Sequence, residues 1–440
     1  MNAEHASHQF LDRRSVICGA AKSLLGVTAF AAAGPFRASA VCAEANGIPV
    51  GKSQWKSGSA KAVIYIYLTG GLSQIDSFDT KPGADTQGPV ESLKTNADGI
   101  LISEYFPKMA RQMDKVCLIR SMHSTQGVHE HGSYYMRTGY MMNQTIKHPG
   151  IGAWSSHFLG KGETELPQNV KIGGSTNSTW GGFLDPRHAA LTIATPNSGL
   201  QHSRLPSSVT SHRFERRLSR LRQMNDAFVA SNRTRATRTH VELFDEAVRL
   251  MKSNDLEGFE LSHEATKKRQ QYGENSLGQG CLLAKRLVER GVRFIEVNDR
   301  GWDTHIRNFA LMREKGAVLD QALSALLDDL SQTGMLEETL VVVATEFGRT
   351  PTIDEANVGR DHYPQAFTCL MAGGGVLGGQ AYGATDKEGR EIVADRVTVP
   401  DFNATIAHAM GLPLREKVIS PSKRPFTVGN QGKPVLSLFG

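Results

Sequence analysis

Five short, largely apolar runs stand out along the chain, most of them with β-branched residues among them: "AVIYIYL" (62–68), "KVCLIRSM" (115–122), "VRFIEVN" (292–298), "TLVVVATEF" (339–347) and "AFTCLMAGG" (366–374). Each has the length and composition of a buried strand. Helical periodicity fills the gaps between them. "GQGCLLAKRLVERG" (278–291) leads into the third run, and the long stretch 305–334 leads into the fourth. "TVPDFNATIAHAMGL" (398–412) predicts a late helix, with Asp401 read as its N-cap. Strand and helix in alternation predict an α/β domain over 60–440, with a mostly parallel sheet and helices on both faces. The stretch from about 185 to 275 breaks the alternation. It is polar and basic, periodic only as helix ("RTHVELFDEAVRLMKSN", 238–254), and lacks a β-branched run. It reads as a helical cap inserted into the domain.

The first 43 residues follow a different pattern. Arg13 and Arg14 precede a mildly apolar, Ala- and Gly-rich stretch interrupted by Lys22, and "ASA" (38–40) follows. This resembles a twin-arginine export signal with a small-x-small cleavage site. It implies the twin-arginine translocation machinery as a partner, export in the folded state, and a periplasmic or secreted mature protein. No segment reaches the roughly 18 apolar residues of a membrane span, so no stable span is expected in the mature chain.

Composition changes this picture little. Hydrophobic residues make up 40% of the 440 positions and charged residues 21%, which is ordinary for a folded domain. The net charge of +6 is modest. Basic runs at 212–223 and 233–240 read as solvated helix faces, and no nucleic-acid partner is expected. Of five cysteines, Cys18 and Cys42 lie in or beside the signal. Cys117, Cys281 and Cys369 form no C-x-x-C and imply no disulfide framework.

The chemistry is expected at the carboxyl ends of the strands, where ligands gather in open α/β sheets. After the first strand come Gly70 and Gly71, then Ser73, Asp76 and Asp79. After the second come His123, His129 and His131. After the third come Trp302, Asp303 and His305. After the fourth come Glu346 and Arg349, and then Arg360, Asp361 and His362. Carboxylate mixed with imidazole suits zinc or manganese, whereas calcium and magnesium want more oxygen ligands. Asp76, Asp303, His305, Glu346, Asp361 and His362 are therefore the expected divalent-metal ligands. His129, His131 and Ser73 are the candidates for nucleophile or acid–base roles, with His129 open to a place as a metal ligand instead. Arg349 and Arg360 are read as a bidentate clamp on an anionic group. A polar network that merely caps strand ends is the bland alternative.

The order of these blocks resembles the alkaline phosphatase superfamily, and sulfatases in particular, over most of residues 60–412. "TLVVVATEFGRTP" (339–351) is similar to the sulfatase strand that ends in a metal-binding acidic residue, a place that Glu346 takes here. "QAFTCLMAGGGVLGGQAYG" (365–383) is similar to a strand followed by a Gly-rich turn, and 398–412 to a late Asp-containing helix. "HEHGSYYMRTG" (129–139) resembles the nucleophile helix that ends in Thr-Gly. Taken whole, the string resembles a large exported bacterial family of unknown function in that superfamily. It shares "GGLSQIDSFD" (70–79), "GWDTH" (301–305), "EFGRTP" (346–351) and "GRDHYP" (359–364).

One departure matters. The sulfatase nucleophile stands nine residues before the Thr of Thr-Gly, which here is His129 and not a Cys or Ser. A formylglycine sulfatase is not expected. The resemblance implies an exported metal-dependent hydrolase of a phosphate or sulfate ester, using metal-activated water or an atypical nucleophile on an anionic small molecule or polysaccharide. The alternative is an exported binding or surface-assembly protein that keeps the fold without catalysis.

Overall fold

The computed structural model describes residues 58–174 and 179–439. The export signal read at 1–43 lies outside the described residues. Among the described residues, nine strands build the central sheet: β1 (Ala62–Thr69), β2 (Val116–His123), β3 (Asn169–Ile172), β4 (Leu191–Ile193), β5 (Phe294–Arg300), β6 (Thr339–Thr345), β7 (Phe367–Ala372), β8 (Gln380–Tyr382) and β9 (Val397–Thr398). Their order is β8-β2-β7-β6-β1-β5-β3-β4, with β9 also pairing with β2. Every pairing is parallel except those of β7, which runs antiparallel to both β2 and β6. The chain leaves β6 at one rim, makes a two-stranded ribbon (Gly348–Arg349 with His362–Tyr363), and enters β7 from that same rim. No crossover helix intervenes, so β7 must run backwards.

The helices are α1 (His129–Thr138), α2 (Ile151–Leu159), α3 (Ser211–Ser231), α4 (Arg235–Lys252), α5 (Ser276–Glu289), α6 (Asn308–Gln332) and α7 (Val399–Ala409), with a single turn-pair at Thr266–Tyr272. Alternate side chains of β1 serve opposite faces of the sheet. Ile64, Ile66 and Leu68 pack with Leu282 of α5 and Leu323 of α6. Val63, Tyr65 and Tyr67 pack with Met136 of α1, Trp154 of α2 and Phe402 of α7. Both faces are covered, as a mostly parallel sheet requires. Each large apolar side chain so buried stabilises the fold by roughly 1.5–3 kcal/mol. That two-sided core dwarfs exposed ion pairs, so the polar loops at the rim are free to serve chemistry.

Two local expectations change. Asp401 is not the N-cap of α7. Thr398 is, with Asp401 at the third helical position in a reciprocal capping box. The 185–275 stretch is not wholly helical, because it carries the edge strand β4 before its helices begin. Phe214 and Leu218 of α3 meet Phe244 and Val248 of α4 in a small core of their own. No helix of the described residues is long and apolar enough to cross a membrane.

Candidate metal centre

The parallel register aligns the ends of β1, β5 and β6, with Thr69 opposite Arg300 and Leu68 opposite Thr345. The loops that follow these strands therefore start side by side. The Thr345 hydroxyl donates to Leu68 O at 2.8 Å and accepts the Leu72 amide at 3.1 Å, which ties the Gly70–Leu72 loop to β6. Gly70 has φ 129°, and a Cβ there would lie 2.4 Å from the Asp303 amide nitrogen. Only glycine allows the loop after β1 to pass this close to the loop after β5.

At this rim four side chains converge: His129 from the first turn of α1, Asp303 and His305 from the loop after β5, and His362 from the ribbon before β7. One ligand atom of each lies within 4.8 Å of all the others. Asp303 Oδ1 is 3.1 Å from His305 Nε2 and 3.5 Å from His362 Nε2, and Asp303 Oδ2 is 3.3 Å from His129 Nε2. The Nε2 atoms of His305 and His362 face each other at 2.9 Å.

Every Nδ1 of the three imidazoles has an acceptor behind it. His129 Nδ1 donates to Glu346 Oε1 at 2.8 Å, His305 Nδ1 to Asp361 Oδ1 at 2.8 Å, and His362 Nδ1 to Gly127 O at 2.7 Å. A proton held on Nδ1 leaves a neutral ring with its Nε2 lone pair turned inward. The His129 Nε2 atom is buried and has no hydrogen-bond partner. Three inward lone pairs and a carboxylate repel one another unless a proton or a cation sits between them. This donor set fits a divalent cation, and carboxylate- or carbonyl-backed imidazoles are the usual support of such ligands.

The electrostatics are shaped by two neighbours. The hydrogen bond to Glu346 is the largest influence on His129 and raises its pKa above the ordinary value. Burial pushes the Asp303 carboxyl up, but the hydrogen bond and charge of Arg349 outweigh it and hold the group below the usual carboxylate range. Burial holds the His362 imidazole below its ordinary value.

Several expected roles move. Glu346 is fully buried and accepts both the Gly70 amide (2.7 Å) and His129 Nδ1, so it stands behind a ligand atom instead of joining the convergent set. Asp361 stands in the same way behind His305. His129, which the sequence left open between metal ligand and covalent nucleophile, is one of the four convergent residues. His131 is exposed. It follows His129 by two positions on a helix, where the two side chains diverge by about 200°; the paired H-x-H needed extended backbone.

Asp76 is not among the convergent residues. Its carboxylate is fully buried against Arg360, which reaches Oδ2 at 2.8 Å and Oδ1 at 3.0 Å. Asn308 Nδ2 (2.7 Å) and the Ser73 hydroxyl (2.5 Å) also donate to it. Ser73 is thereby buried with its proton engaged, which is no position for a nucleophile. Neither arginine is available to clamp an anion. Arg360 directs its remaining donors to the carbonyls of Thr86, Thr350 and Pro351. Arg349 is fully buried and donates to the carbonyls of Gly70, Gly71 and Arg360 and, at 2.6 Å, to Asp303 Oδ1. Two supports escaped the sequence reading. Gly127 offers only a backbone carbonyl, which no residue type announces. Gly132 lets α1 approach Glu346, whose Cβ would lie 3.0 Å from an added Cβ; a glycine inside a helical pattern was its only signal.

No curated protein matches the chain. Among solved structures it is similar to the PsFucS1 sulfatase from Pseudoalteromonas sp., at 13% identity, with 80% of this chain and 68% of that chain covered and a TM-score of 0.39. It is similar to the lipoteichoic acid synthase LtaP from Listeria monocytogenes at 8% identity, with 82% and 74% covered and a TM-score of 0.39. It is similar also to the alkaline phosphatase from the Antarctic bacterium TAB5 at 12% identity, with 73% and 94% covered and a TM-score of 0.32. The model of one family, described as "Protein of unknown function (DUF1501)", matches residues 60–439, and the chain belongs to that family.

Proposed function

We propose that this protein is an exported metal-dependent hydrolase of phosphate or sulfate esters. The observation that carries the reading is the convergence of His129, Asp303, His305 and His362, each imidazole with an acceptor behind Nδ1 that favours the tautomer with Nε2 turned inward. His129, Asp303, His305 and His362 would hold a divalent cation, which would supply Lewis acidity towards an ester and activation of water as the attacking group. The donor set of nitrogens and one carboxylate favours zinc or manganese over calcium or magnesium.

The chain's own groups prepare that chemistry. Glu346, Asp361 and Gly127 O hold protons on the three Nδ1 atoms. Arg349 fixes Asp303 through Oδ1. Asp303 and His305 remain 46% and 41% exposed at the side chain, which supports access by an anionic small molecule or polysaccharide. The paired arginines at 13 and 14 support export through the twin-arginine machinery and a periplasmic or secreted destination.

Metal analysis of the purified protein, with hydrolysis of p-nitrophenyl phosphate and sulfate, tests the reading. The expected result is stoichiometric zinc or manganese and turnover of one ester, both lost in Asp303→Asn/His362→Gln. Turnover that survives the double variant overturns it. One observation favours a second reading, a binding or surface-assembly protein: the candidate side-chain nucleophile Ser73 is buried on Asp76. A protein that binds metal but turns over neither ester would support that reading.

A further inference from the structure

The pair α3–α4 carries a charge pattern that the metal centre does not explain. Residues 211–240 contain eight arginines against Glu215 and Asp226, a surplus of six positive charges. The formal net charge of all 440 residues is also +6. The positive surplus of the protein is thus concentrated in 30 consecutive residues, and the remainder is balanced.

The surplus is also oriented. At 100° per residue, Arg213, Arg216, Arg220, Met224 and Phe228 of α3 fall within one sector of about 120°. Glu215 and Asp226 lie on the other side of the helix. Glu215 pairs there with Lys252 at 2.6 Å, and Arg222 of α3 pairs with Asp245 at 3.4 Å, so acids and their partners gather along α4. Only Phe214 and Leu218 of α3 are buried. The apolar stripe continues past them onto the C-terminal half of the helix, where Met224 is 69% and Phe228 57% exposed. Twenty-one residues make α3 about 32 Å long, so this half reaches well beyond the small core it shares with α4.

We infer that this face of α3 docks the protein on an anionic phospholipid surface. Arginines attract the head groups, and Met224 and Phe228 enter the boundary between head groups and acyl chains, as on other basic amphipathic helices that lie on a bilayer. A soluble polyanion would use the arginines but leave Met224 and Phe228 in water. A second copy of the chain would bring two like-charged faces within a Debye length of about 8 Å, which opposes association.

Co-sedimentation of the full chain with vesicles tests this at about 0.1 M salt. Equimolar phosphatidylglycerol–phosphatidylcholine vesicles are compared with pure phosphatidylcholine. Two variants are tested, Met224→Ser/Phe228→Ser and Arg213→Gln/Arg216→Gln/Arg220→Gln. All forms share residues 1–57, so a difference between them belongs to α3. The expected result is binding to the anionic vesicles only, weakened about tenfold or more in either variant, with unchanged thermal unfolding because every substituted side chain is exposed. Binding that is unchanged in both variants overturns the proposal, as does an absence of binding. Equally tight binding to heparin or DNA that ignores Met224 and Phe228 reassigns the face to a soluble polyanion. Self-association that disappears in the Met224/Phe228 variant, without vesicle binding, reassigns it to a second copy.

Discussion

Glu346 and His129, 217 positions apart, meet through a 2.8 Å hydrogen bond from His129 Nδ1 to Glu346 Oε1. The same oxygen accepts the Gly70 amide at 2.7 Å. One buried carboxylate therefore sets both the tautomer of an imidazole at the centre and the position of the loop after β1. Glu346→Ala removes the acceptor from both. Support of this kind is worth about 10–100-fold in metal affinity. Chelator competition on the Glu346→Ala variant should show a loss in that range. Glu346→Gln, which keeps an acceptor oxygen, should lose less. Equal affinity in wild type and Glu346→Ala would show that His129 needs no orienting partner.

The Asp76–Arg360 pair allows a sharper distinction. Both side chains are fully buried, and the guanidinium spans both carboxylate oxygens. Removing one member of such a pair strands the other charge at a cost of about 3–5 kcal/mol. Arg360→Met should thus lower the urea-unfolding free energy by about that amount. Metal content measured on the still-folded fraction should not change. A variant that folds normally but loses turnover would instead restore Arg360 to the substrate.

Much of this was legible in the sequence, and the limits have physical causes. The five long strands were readable because strands buried on both faces leave largely apolar runs of six to eight residues. β3, β4, β8 and β9 are two to four residues long, too short for any period, and β3 also hides a buried lysine, Lys171. Residue types at strand ends pointed to Asp303, His305 and His362, but type alone does not rank a ligand above its supporter. Glu346 and Asp361 have the chemistry of ligands. They stand one layer back because His129 and His305 lie between them and the centre. The Arg349–Asp303 and Arg360–Asp76 pairs, 46 and 284 positions apart, are tertiary facts that no local pattern encodes.

Gly70 is the backbone counterpart of Glu346. With φ 129° it lies outside the range an L-residue adopts comfortably, and an added Cβ would meet the Asp303 amide nitrogen at 2.4 Å and the Trp302 carbonyl carbon at 2.6 Å. Both obstacles are backbone and cannot rotate away. Gly70→Ala should destabilise the fold by more than about 1 kcal/mol and move Asp303 away from the histidines. Metal affinity should fall together with stability. Gly99→Ala is the control: φ there is also positive, at 76°, but no atom lies within 4 Å of the added Cβ. It should show strain with no effect on metal. Equal metal affinity in both variants would detach the Gly70 loop from the centre.

His148, which is not among the candidate ligands, gives a pH signature of its own. It is buried, stacks on Tyr140 with ring centroids 4.4 Å apart, and accepts or shares the Tyr134 hydroxyl proton at Nδ1 over 2.8 Å. Burial holds its pKa down at about 4, against 6.5 ordinarily. The folded chain thus keeps the ring neutral over a pH range in which the unfolded chain protonates it. Between pH 6.5 and 4 the unfolded state binds the extra proton, so this contribution to stability is full above that window and declines as pH falls through it. At 1.36 kcal/mol per unit, the loss from neutral pH to pH 5 is about 2 kcal/mol. His148→Gln keeps a polar side chain but cannot titrate, so it should flatten this part of the profile while lowering stability at pH 7. Denaturant unfolding of both proteins at pH 7 and pH 5 measures the difference. An identical slope in the two would mean that His148 is protonated as readily in the folded chain as in the unfolded one.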